Sequence, residues 1–132
     1  MINNVKIFIL VLLSSFSICT TIQEVYNIAP SLNGYDKYLI LDPNTTYTGG
    51  LGVFEGNVYI QGNGATIDLD DSGGLWAFAD EEFPASLSIE YCSIINSSFD
   101  GGFGMSYSGV ATGTIRNCNF VNNHMGIKLF GN

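Results

Sequence analysis

GTIRNCNFVNN, residues 113–123, lies over LSIEYCSIINS, residues 87–97, and VYIQGNGATID, residues 58–68, with starts 26 and 29 residues apart. Such self-similarity at a period of a few tens of residues marks an architecture built by stacking one small unit. Laid over one another without gaps, the segments put Ile60, Ile89 and Ile115 in one column and Ala65, Ile94 and Phe120 in a second. Cys92 and Cys118 share a third column, and Asn96 and Asn122 a fourth. A further strand follows each segment, in Leu75-Trp76-Ala77-Phe78, Met105-Ser106-Tyr107 and Ile127-Lys128-Leu129, preceded by Gly74, Gly104 and Gly126. Alternation places Leu75, Ala77, Met105, Tyr107, Ile127 and Leu129 inside and aims Trp76 and Phe78 outward. Each unit is too short for a long helix and breaks its two-residue period at Gly or Asn, so it reads as strand, turn, strand. One such coil cannot bury its own apolar face, but parallel stacking at about 4.8 Å buries a continuous column and pairs the backbone. The predicted class is therefore all-β: a right-handed parallel β-helix of about three to four coils.

The stretch before the first full coil, residues 38–70, leads through a Pro turn and a Tyr-Thr strand into Ile60-Gln61-Gly62-Asn63-Gly64-Ala65-Thr66-Ile67-Asp68. This element resembles the opening coil of the pectin-lyase-like β-helix superfamily. Asn117-Cys118-Asn119-Phe120-Val121-Asn122-Asn123 is similar to a coil found across the same superfamily. The resemblance spans about residues 38 to 132. It implies secretion and a sugar-rich setting, but it does not choose among lyases, hydrolases, adhesins and tail spikes, because one fold hosts many functions.

Working outward, Met1 to Lys6 precede an apolar run from Ile7 to Ile18 and then Cys19-Thr20-Thr21, the pattern of an export signal cut after Cys19. The run has 12 residues, whereas a membrane span needs about 20. A lipid anchor on Cys19 is disfavoured by Ile18, where such signals carry a small residue. The expected organisation is a signal peptide over 1–19, an N-terminal cap or linker over 20–37 and coils over 38–132, in a chain secreted or held at the cell surface without a membrane span after cleavage. Ile127 to Asn132 stop within a coil's strand, so truncation or end-to-end stacking on another β-helix chain is expected. With 132 residues there is room for one domain. A net charge of -8 from only four Lys plus Arg excludes nucleic acid as a partner.

Asp68, Asp70 and Asp71 form the densest acidic group. They are candidates for a Ca²⁺ site, whose ligands are oxygens, or for paired acid and base on a glycosidic bond. The plainer reading is a solvated turn, since the neighbouring coils carry Asn96-Ser97-Ser98 and Asn122-Asn123 there. No cofactor is required, with Ca²⁺ the one expected if any binds. Arg116 is the candidate for the base that a lyase of the resembled superfamily uses, although its shared outward column with Gln61 and Glu90 also suits an ion pair with Glu90. His124 stands alone beside a turn. Trp76, Phe78 and Phe130, with Lys128, form an outer stripe that is a candidate saccharide platform, because aromatic faces stack on sugars, or else a lateral packing surface for a loop. Asp80-Glu81-Glu82-Phe83-Pro84 is read as a solvated connecting loop. The leading functional expectation is binding of extracellular or surface polysaccharide, or service as an assembly or adhesion scaffold. The alternative is a polysaccharide lyase or glycoside hydrolase with further machinery in other coils.

Overall fold

A computed structural model describes residues 19–131. The export segment read over 1–19 lies, apart from Cys19, outside the described residues. No helix among them is long and apolar enough to cross a membrane. The chain is a parallel β-helix of about four coils, and each coil has three strands where the sequence suggested two. The first coil contains β2 (Lys37–Ile40), β3 (Thr46–Thr48) and β4 (Leu51–Val53). The second contains β5 (Gly56–Gln61), β6 (Thr66–Asp68) and β7 (Leu75–Ala79). β8 (Ala85–Glu90), β9 (Ser93–Ile95) and β10 (Phe103–Gly109) form the third, and β11 (Ile115–Arg116), β12 (Asn119–Val121) and β13 (Met125–Phe130) the fourth. A short strand β1 (Thr20–Thr21) precedes them.

Three parallel sheets result, in the orders β1-β3-β6-β9-β12, β4-β7-β10-β13 and β2-β5-β8-β11. Like residues lie over like inside each. Leu39, Ile60, Ile89 and Ile115 are in register in the third sheet, and Leu51, Leu75, Met105 and Ile127 in the second. Ile60, Ile67, Leu75, Leu87, Ile94 and Met105 have no exposure. At roughly 1.5–3 kcal/mol for each large apolar side chain fully removed from water, these columns dominate the stability of the stack.

One column differs from expectation. The partner of Ile94 is Ile67, not Ala65, while Phe120 follows Ile94 as expected. Four residues, Gly62 to Ala65, turn the chain between β5 and β6, whereas only Tyr91-Cys92 and Asn117-Cys118 do so in the next two coils. The two extra residues shift the register at this corner, and the Ser93 N–H donates to the Ala65 carbonyl at 3.0 Å. Gly62 is required here, because a Cβ would overlap Cys92 Sγ and the carbonyl oxygens of Glu90 and Tyr91. Cys92 and Cys118 are free thiols in neighbouring coils.

The first coil is covered by α1 (Ile22–Ile28). Its start is a reciprocal cap written in Thr21-Ile22-Gln23-Glu24: Thr21 Oγ1 accepts from the Glu24 N–H at 3.1 Å, and Glu24 Oε2 accepts from the Thr21 N–H at 2.9 Å. Ile22 enters the core without exposure, and Val25, Tyr26 and Ala29 pack against it. In the fourth coil the inward residues Ile127 and Leu129 remain 48% and 74% exposed.

Candidate functional site

The acidic corner is built by the turn after β6. Asp68 Oδ1 accepts from the Asp70 N–H at 3.0 Å and from Asn96 Nδ2 at 3.1 Å, and Asn122 Nδ2 donates to Asn96 Oδ1 at 2.7 Å. Asn96 and Asn122 have φ of 61° and 54°, the left-handed backbone that asparagine tolerates. The Asn96–Asn122 column is therefore a side-chain hydrogen-bonded ladder, and Asp68, one register position away, extends it. Asp70 and Asp71 also have positive φ, at 50° and 62°. Among the described residues no three His, Cys, Asp or Glu side chains converge as metal ligands. Asp68, Asp70 and Asp71 share this turn, and Asp68 Oδ1 is engaged by two donors. Beside them Asn123 brackets Ser97, accepting from its N–H at 2.9 Å and donating to the Ile94 carbonyl at 2.9 Å. His124 offers its backbone N–H to Ser97 Oγ at 3.0 Å.

Arg116 is not brought to this corner. It lies in register with Glu90 on the third sheet, while Asp68 ends a strand of the first and Asp70 and Asp71 follow it. No ion pair closes to 4.0 Å among the described residues, Arg116 and Glu90 included. Asp68, Asp70, Asp71 and Arg116 therefore do not form one constellation.

Trp76 and Phe78 do stand together on the outer face of β4-β7-β10-β13. Strand β7 alternates buried and exposed residues throughout, so its two aromatics share the outward side. The Trp76 ring meets Phe54 edge-on at 5.4 Å and Phe78 at 6.3 Å. Its Nε1–H donates to Ser108 Oγ at 2.7 Å, which fixes the indole. Lys128 shares the Trp76 column but is separated from it by Ser106, about 9.6 Å away at the usual strand spacing. Its Nζ lies 4.3 Å from the centroid of the Phe130 ring, a cation–π contact that engages the charge within the face. Ser106 is fully buried, and its hydroxyl has no hydrogen-bond partner among the described residues.

Beyond Phe78 the face opens into a groove of about 530 Å³ lined by Tyr26, Phe54, Glu55, Phe78, Asp80 and Phe83. The loop read as merely solvated shapes this wall. Asp80 Oδ1 accepts from the N–H groups of Glu82 and Phe83 at 3.0 and 2.7 Å and thereby sets the turn that presents Phe83. Phe54 and Tyr26 are distant in sequence from Trp76, and Phe83 belongs to the loop read as solvated, so alternation alone places none of them on this face. The signal for Phe54 was its position one residue past Val53, which pairs with Ala77.

A second outward cluster is absent from the sequence reading. Tyr38 and Tyr59 stack with ring centroids 5.0 Å apart, and Tyr35 leans on both at 5.9 and 4.9 Å. Burial first, and the neighbouring Glu90 carboxylate second, raise the Tyr59 phenol well above the ordinary tyrosine range. In the interior, burial pushes the Cys92 thiol up to about 12 and the Tyr107 phenol to about 12, with Cys118 adding a smaller repulsion to each. Cys92 is an inert core thiol under neutral conditions.

No family model matches the chain, and no curated protein or solved structure matches it. The fold class, a parallel β-helix, rests on the strand register alone.

Proposed function

We propose that this β-helix binds extracellular or surface polysaccharide through the outer face of β4-β7-β10-β13. The observation that carries the reading is the aromatic groove continuous with Trp76. Phe54, Phe78, Phe83 and Tyr26 line it, and Glu55 and Asp80 supply acceptors beside apolar rings. Sugars ask for this combination, because they carry apolar C–H faces and hydroxyl edges. A secreted address fits the export pattern of residues 1–19, and the resemblance to the pectin-lyase-like superfamily fits a carbohydrate setting. Catalysis is the weaker reading, since Asp68, Asp70 and Asp71 lie at a different corner from Arg116.

Assembly is the second reading. The edge formed by β11, β12 and β13 exposes Val121, Ile127 and Leu129, and it is where a coil from another β-helix chain would pair.

The test is retention of the protein on a panel of neutral and uronic polysaccharides, with and without Ca²⁺. At least one should retain it, and Trp76→Ala or Phe78→Ala should weaken retention about tenfold, the loss of about 1.4 kcal/mol of stacking. No retention on any member, or equal retention by both variants, overturns the reading. Release of unsaturated or reducing sugars would move the assignment to the enzyme.

A further inference from the structure

The outward columns of β2-β5-β8-β11 change character halfway along the stack, and the fold does not require them to. Tyr38 lies over Tyr59, and the position over Tyr59 in the next coil is Ser88. Thr114 follows, its N–H donating to Ser88 Oγ at 3.2 Å. Two stacked rings thus give way to two small hydroxylated side chains. The third coil therefore supplies no ring over Tyr59, and a groove of about 340 Å³ occupies the step, with Tyr35, 4.9 Å from Tyr59, on its wall.

The column alongside supplies the polar half. It runs Gln61, Glu90, Arg116. Gln61 is already engaged, its Oε1 accepting from the Tyr38 hydroxyl at 3.0 Å and its Nε2 donating to Asn63 Oδ1 at 3.0 Å. Glu90 and Arg116 both line the groove. The ionised carboxylate only accepts, and the guanidinium only donates. Their charges cancel, so the groove favours neither an anion nor a cation. A ligand suited to it has a flat apolar face of ring size and a rim of hydroxyls, each able to donate to Glu90 and accept from Arg116.

We propose that this groove binds a neutral hexopyranose unit of an oligosaccharide, which continues the Tyr38–Tyr59 stack above Ser88 and sets its hydroxyls against Glu90 and Arg116. The sugar ring occupies the next level of the stack, one coil spacing of about 4.8 Å from Tyr59. A uronate is disfavoured, because its carboxylate would meet Glu90 as well as Arg116. The site shares no residue with the Trp76 face and lies on a different sheet, so the two stand or fall separately.

The experiment is a titration of the full chain, followed by aromatic NMR, with cellohexaose, maltohexaose, mannohexaose and chitohexaose as neutral probes and hexagalacturonate as the charged one. Shifts of the Tyr59 ring report this groove, and shifts of the Trp76 indole report the other face. At least one neutral hexamer should shift Tyr59, and Tyr59→Ala should weaken that binding about tenfold. Glu90→Ala and Arg116→Ala change only the polar column and should each weaken it several-fold, which keeps the test decisive if Tyr59→Ala does not fold. The proposal is overturned if no neutral hexamer shifts Tyr59, if hexagalacturonate binds more tightly than every neutral probe, or if Glu90→Ala and Arg116→Ala bind like the parent chain.

Discussion

The two sides of β5 and β8 obey opposite rules. Inward, Val58 lies over Leu87 and Ile60 over Ile89; outward, Tyr59 lies over Ser88 and Gln61 over Glu90. The inner side repeats its chemistry because each coil must cover the apolar residue of the coil before it. Water covers the outer side as readily as another side chain does, so the columns there are free to change. Repetition therefore marks what holds the fold, and a break in repetition marks where a ligand finds a step, a ring or a charge.

Removing an inner rung should produce the largest effect. Ile89→Ala opens a cavity between Ile60 and Ile115 and should lower the unfolding free energy by about 2–5 kcal/mol in chemical denaturation. An outward change one residue away, Glu90→Ala, should cost under about 1 kcal/mol. Equal losses would erase the distinction between the two sides. Gly62→Ala should come next, at about 1–3 kcal/mol, because its methyl meets Cys92 Sγ and two carbonyls. Adding Cys92→Ala should restore only part of that loss, since the carbonyls of Glu90 and Tyr91 stay in place.

Alkaline titration tests the interior without mutation. The Cys92 thiol is raised from 9.0 to about 12, and the Tyr107 phenol from 10.0 to about 12. Above about pH 9 the unfolded chain releases these protons while the folded chain keeps them, so unfolding gains and stability falls as the pH rises toward 12. Melting temperature should be insensitive to these groups below pH 9 and decline above it, and Cys92→Ala should make the decline shallower. A melting temperature that rises over this window would contradict the buried placement of both groups.

The smallest effect concerns a corner. Tyr91 holds φ of 53° at the turn position where the next coil has Asn117 at 51°. A left-handed backbone costs a β-carbon-bearing residue about 1–2 kcal/mol, and asparagine less than most. Tyr91→Asn should therefore stabilise the chain by about 1 kcal/mol. A destabilised variant would show that the exposed ring makes contacts that outweigh its backbone.

Much of this was legible in the sequence. The columns Ile60, Ile89, Ile115 and Asn96, Asn122, the outward direction of Trp76 and Phe78, and the sharing of one column by Gln61, Glu90 and Arg116 follow from alternation and period. The third strand of each coil and the partner of Ile94 did not follow, because an ungapped comparison cannot see that Gly62 to Ala65 contain two more residues than the equivalent turns. The tyrosine cluster was hidden for another reason. Tyr35 and Tyr38 meet Tyr59 only once the first coil is wound beneath the second, with residues 37–40 over 58–61, a match outside the three segments that align by sequence. Lys128 falls in the Trp76 column and on one stripe with Phe130, as alternation implies, but the contact of its charge with the Phe130 ring does not follow from alternation.

The register at the shifted corner is the most direct point to measure. Scalar couplings across backbone hydrogen bonds, observed by NMR, should join the Ser93 amide to the Ala65 carbonyl and the Asn119 amide to the Cys92 carbonyl. A Ser93 amide coupled to any other carbonyl, or antiparallel coupling patterns between these strands, would contradict the stacking on which both outer faces depend.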